Sequence, residues 1–105
     1  MANLRPKNTG LPMVIWVSER GRARHAPRIK VSLRHGPKID IEQTVSVTIE
    51  DSPKVIGGEL GSDDYDAVRS YIARNIPVLL AYWNGELDTL ELLDQLKPIG
   101  GGRSD

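Results

Sequence analysis

The chain has 105 residues, 39% of them hydrophobic and 27% charged, which fits one small globular domain with a single core. It contains no cysteine, so disulfides, thiol nucleophiles and thiolate metal sites are excluded. The formal charge is zero, yet residues 1–38 hold nine Lys/Arg against the single acid Glu19, a net of +8, and residues 39–105 carry the compensating −8.

Residues 1–12 are polar, with two prolines and a glycine, and read as a flexible arm. Met13-Val14-Ile15-Trp16-Val17 is a short apolar run of strand type. Residues 18–26 form a basic loop around Gly21. From Arg28 to Leu33 the chain alternates, with Ile29, Val31 and Leu33 on one face and Arg28, Lys30 and Ser32 on the other, the pattern of a half-buried strand. Gly36-Pro37 reads as a turn. Residues 38–50 alternate again, as one bent strand or as two strands broken near Glu42-Gln43. Pairing Leu33 with Ile39 and Val31 with Ile41 keeps the apolar faces together and sets Lys30 opposite Glu42.

The second half is helical. Ser62 or Asp63 is placed to cap a helix whose apolar stripe is Tyr65, Val68 and Ile72. Asn75-Ile76-Pro77 is expected to end it, because proline is disfavoured in a helix interior, and a second helix runs to Trp83 and stops at Asn84-Gly85. Asp88-Thr89-Leu90-Glu91 has the spacing of a capping box, with Leu87 and Leu92 as its hydrophobic staple, ahead of a third helix that stops at Pro98. Residues 100–105 read as a mobile tail. The order of elements implies an α+β fold, a single domain over 13–99 in which an antiparallel sheet of three to four strands packs against two to three C-terminal helices.

The candidate chemistry lies in the basic half. Arg24-His25-Ala26-Pro27-Arg28-Ile29-Lys30-Val31 is echoed ten residues later by Arg34-His35-Gly36-Pro37-Lys38-Ile39-Asp40-Ile41. His25 and His35 are the only imidazoles and the candidate acid–base residues; with nearby arginines they suit metal-free phosphodiester cleavage. Each is read as preceding a strand, so in a hairpin they lie at opposite ends, about 20 Å apart. Arg20, Arg22, Arg24, His25, Arg28 and Arg34 are the candidate anion or partner contacts. Glu59, Asp63, Asp64 and Asp66 lack calcium-loop spacing, and no metal or cofactor is expected. Trp16, Tyr71, Tyr82 and Trp83 read as packing residues.

Two stretches resemble a family of small bacterial proteins of unknown function, often encoded in toxin–antitoxin-like gene pairs. One is His25-Ala26-Pro27-Arg28-Ile29-Lys30-Val31, against the family's H-x-P-H-I-H-V strand; the other runs from Asn75 through Leu79 or Leu80 to Trp83, against an N-x-x-x-L-x-x-x-W helix. The later histidines of the first motif are Arg28 and Lys30 here. The resemblance implies an α+β fold and a bacterial or phage origin rather than a reaction.

No apolar run approaches the roughly 18 residues that cross a bilayer, and residues 1–12 lack the apolar stretch of a signal peptide. The expectation is a cytoplasmic protein without membrane attachment. Its leading function is a binding module whose basic loop and hairpin meet an acidic partner, nucleic acid or protein. The alternatives are a ribonuclease-like toxin and a self-associating protein whose basic half docks on acidic helices.

Overall fold

The computed structural model describes residues 2–37 and 42–99. In chain order it contains β1 (Ala2–Leu4), α1 (Pro6–Thr9), β2 (Met13–Val17), β3 (Arg28–His35), β4 (Thr44–Thr48), β5 (Val55–Ile56), α2 (Ser62–Trp83) and α3 (Thr89–Gln95). The five strands form an antiparallel sheet in the order β1-β2-β3-β4-β5. Met13, Ile15, Val17, Ile29, Val31, Val45 and Val47 share one core with Val68, Tyr71, Ile72, Leu79, Tyr82 and Leu92 of the helices. This is the expected α+β class, with two more short strands than the central three.

One addition comes from the presumed arm. Ala2 and Leu4 are buried, and β1 pairs with β2 as Ala2↔Val17, Asn3↔Trp16 and Leu4↔Ile15. The segment read as flexible is therefore structured from Ala2 to Leu11. Three residues with one strong apolar side chain are too short for a strand signal, but the open edge of β2 supplies the hydrogen bonds and the core supplies the burial.

The register of β3 on β4 also differs from the expected one. Val31 faces Val45, Lys30 faces Ser46 and Ser32 faces Thr44. Lys30 is therefore not paired with Glu42, and the other expected partners, Ile39 for Leu33 and Ile41 for Val31, lie outside the described residues. The two registers differ by four residues. An even shift keeps every apolar side chain on the same face, so alternation cannot choose between them. Toward its end β3 is also irregular against β2, pairing Val31 with Ile15 but His35 with Met13. The extra residues turn Leu33 out to 41% exposure, while Ser32 is buried and its hydroxyl exchanges hydrogen bonds with the backbone N–H and C=O of Arg34.

Helix α2 runs unbroken through Pro77, where a stop was expected. The proline removes one backbone hydrogen bond at a cost of about 3 kcal/mol. Ile72 before it and Leu79 and Tyr82 after it are all buried, each contributing about 1.5–3 kcal/mol. Pro77 and Ala73 both lie on the exposed face, where water can meet the orphaned carbonyl. The residue before Ser62 is Gly61, and it caps without a side-chain bond, so neither Ser62 nor Asp63 serves as the cap. The capping box of α3 is present as read, with Asp88 accepting from the Glu91 backbone and Glu91 accepting from that of Asp88.

Tyr71 is 1% exposed, and burial pushes its phenol up from 10.0 to about 12. The unfolded phenol ionises first as pH rises, so the unfolded state binds fewer protons above pH 10. Stability is therefore expected to fall by about 2 kcal/mol between pH 10 and 12 from this residue. Denaturant titrations across that range should show a steeper loss for the native chain than for Tyr71→Phe.

Candidate anion-binding site

The outer face of the sheet, away from the helices, is set by the positions that alternate with the core residues. Asn3, Trp16, Lys30, Ser46 and Ile56 form one cross-strand row. Arg28 lies two residues before Lys30 on the same face and opposite Thr48. Trp16 is only 4% exposed, so this face carries a packed indole beneath its polar groups.

The loop of residues 18–27 folds over the end of this face. Its backbone is tied to the helical layer where Arg20 N–H donates to the Trp83 carbonyl at 2.8 Å. It is tied to itself by Ala23 N–H on the Arg20 carbonyl at 2.8 Å and by Arg20 Nε–H on the Ala23 carbonyl at 3.5 Å. Gly21 makes the turn with φ +53°, a conformation that favours glycine. His25 packs its ring against Trp83, with centroids 5.4 Å apart, and its Nδ1–H donates to the Ala26 carbonyl at 2.9 Å.

Loop and sheet together enclose a cavity of about 150 Å³ lined by Trp16, Ser18, His25, Arg28, Lys30 and Ser46. Five of these six carry hydrogen-bond donors on polar or cationic side chains, and none is a carboxylate. Neither Arg28 nor Lys30 makes an ion pair among the described residues. The Nε of Arg28 is buried and has no hydrogen-bond partner. Such a donor set is suited to an oxyanion.

The expected site residues divide. His25 and Arg28 meet at the cavity, and Arg20, Arg22 and Arg24 lie on the loop beside it. Arg22 and Arg24 are exposed and make no ion pair among the described residues. Arg34 and His35 are exposed at the far end of β3, eight residues that span about 23 Å. His35 ends β3 rather than preceding a strand, and its Nε2 meets both carboxylate oxygens of Asp64 at 2.9 Å. The two imidazoles are thus kept apart within one chain, as their placement implied, and His35 fastens the sheet to the start of α2.

Trp16, Ser18, Lys30 and Ser46 were not singled out as contacts. Lys30 was assigned to Glu42 by the alternative register, whereas facing Ser46 leaves its ammonium at the cavity. The signal for the Arg28–Lys30 pair was their shared parity on β3. Ser46 could be added only once the register was known. The three polar positions of the His25-x-x-Arg28-x-Lys30 run all line one cavity.

No helix among the described residues is long and apolar enough to cross a membrane. No protein-family profile, curated protein or solved structure matches the chain.

Proposed function

We propose that the protein is a small binding module that engages nucleic acid through the loop of residues 18–27 and the start of β3. The observation that carries this reading is the gathering of Arg20, Arg22, Arg24, His25, Arg28 and Lys30 at one end of the sheet. Over that stretch the chain has Glu19 as its sole acid. Cations so placed meet a phosphate backbone and release its condensed counterions. The buried indole of Trp16 supports the charged groups from below and is too enclosed to stack on a base. This reading keeps the anion-binding part of the sequence argument and leaves His35 and Arg34 outside the contact. An acidic protein is the other partner class that the same charge would attract.

The test is a fluorescence titration with single-stranded RNA and DNA across a salt series. The native chain should bind more weakly as salt rises. An Arg20→Ala, Arg22→Ala, Arg24→Ala triple variant should bind about 100-fold more weakly at low salt, with a log–log salt slope shallower by about 3. Equal affinity of the native and triple-variant proteins for every strand tested would reject the reading. Affinity for an acidic protein with none for nucleic acid would move the assignment to the other class.

A further inference from the structure

The cavity beneath the loop has a chemistry of its own, distinct from the exposed arginines around it. Its donors are two hydroxyls, from Ser18 and Ser46, the guanidinium of Arg28 and the ammonium of Lys30, and the imidazole of His25 lies beside them. The sheet positions four of its six lining residues, of which Trp16, Lys30 and Ser46 are direct cross-strand partners. Arg28 shares that face, and residues of the loop close the opening from above. These are rigid supports, because Trp16 is packed and β3 is paired on both sides.

Three features bear on what would occupy it. The first is the donor set. Guanidinium and ammonium N–H groups are strong donors, and neither Arg28 nor Lys30 makes an ion pair among the described residues. The second is charge. Arg28 and Lys30 supply two formal positive charges to a lining that has no carboxylate, against an indole wall that lowers the local dielectric. A phosphomonoester, at about −1.5 to −2 near neutral pH, balances them where a phosphodiester or a single carboxylate does not. The third is size. A volume of about 150 Å³ equals roughly five waters at about 30 Å³ each. That holds one tetrahedral oxyanion and falls short of the roughly 300 Å³ at which pockets for larger ligands begin.

We propose that this cavity is a single-phosphate pocket that takes a phosphomonoester group. The group would come from the phosphorylated end of a nucleic-acid strand or from a small phosphorylated molecule. Arg28 and Lys30 pair with the dianion, Ser18 and Ser46 donate to its oxygens, and His25 forms the loop side of the enclosure. The nucleic-acid source rests on the binding reading above: the exposed arginines hold the strand and the pocket holds its end. The pocket itself does not depend on that reading.

The experiment is a set of ¹H–¹⁵N NMR titrations of the full chain, reading the Trp16 indole N–H and the Ser18, Lys30 and Ser46 amides. The ligands are inorganic phosphate, glycerol phosphate and one short oligonucleotide prepared with a 5′-phosphate, with a 3′-phosphate and with neither. Phosphate and glycerol phosphate are expected to move these signals together and to saturate them. An end-phosphorylated strand should bind at least about tenfold more tightly than its unphosphorylated twin. Lys30→Gln and Arg28→Gln should each abolish that preference, so that each variant binds the end-phosphorylated and unphosphorylated strands equally. Lys30 is exposed on a paired strand, so its variant keeps the test valid if the Arg28 variant is poorly folded.

The outcomes separate the sources. Saturation by glycerol phosphate, with no preference among oligonucleotides, would support the pocket and assign it to a small phosphorylated molecule. Saturation by phosphate with no oligonucleotide binding at all would support the pocket and defeat the nucleic-acid reading. Signals unmoved by phosphate and glycerol phosphate, with equal affinity for all three strands, would overturn the pocket whether or not the strands bind.

Discussion

Replacing Asn75 with alanine is expected to destabilise the protein by about 3 kcal/mol. The side chain is 1% exposed and its amide is fully engaged. Nδ2 donates to the Tyr71 carbonyl at 3.0 Å and to the Lys97 carbonyl at 2.8 Å, while Oδ1 accepts from Lys97 N–H at 2.8 Å. The amide thereby acts as a peptide group, giving the segment after α3 a paired N–H and C=O where no strand is available. Alanine removes these bonds and leaves the Lys97 backbone groups partly buried without partners, and each such loss costs about 1 kcal/mol or more. Asn75→Asp should be no better at neutral pH, because a carboxylate cannot donate to two carbonyls. The measurement is urea unfolding together with hydrogen exchange at Lys97. A native-like midpoint with retained protection of the Lys97 amide would refute the assigned role.

The second large effect is expected at Gly10, which closes the short helix α1 with φ +82°. A Cβ at this position would run into the backbone carbonyl oxygen of Ile99. Ile99 is held there by its own N–H on the Thr9 carbonyl at 2.8 Å and packs on the core. Gly10→Ala therefore combines a left-handed backbone, at about 1–2 kcal/mol, with loss of the Thr9–Ile99 contact, for a total of about 2–4 kcal/mol. Gly21→Ala is the matched control. It has φ +53° but nothing within 4 Å of the new Cβ, so only the backbone part, about 1 kcal/mol, should appear. Thermal unfolding should place the Gly10 variant well below the Gly21 variant, and equal midpoints would contradict the clash. Asn75 and Gly10 hold the same stretch, residues 97–99, from two sides. Once one is replaced that stretch is already loosened, so the double variant should lose less than the two single effects added together.

Much of the helical half was legible because its signals are local. The Asp88–Glu91 box and the stop at Asn84-Gly85 each depend on a few neighbouring residues, and both are found. Pro77 misled for a related reason. A propensity is a local cost, and burial of Ile72, Leu79 and Tyr82 outweighs it only in the assembled core. At the candidate site, His25 and Arg28 were legible as polar positions of one motif. Lys30 was hidden by a register that suited the pattern equally well. Ser18, Trp16 and Ser46 come from a loop and two different strands, and no spacing along the chain marks them as a set.

The sequence by itself determined the α+β class, the separation of the basic half from the acidic half, and the placement of the two histidines at opposite ends of a hairpin. Those follow from periodicity, composition and strand length, which are properties of contiguous segments. The tertiary structure decided which residues of β3 face which residues of β4, that Ala2–Leu4 completes the sheet, and that helix α2 passes through its proline. It also decided the cavity. An alternating strand reads the same after any even shift, so only the assembled sheet, with its turns and its irregularity on β3, sets Lys30 against Ser46 and Trp16 rather than against Glu42.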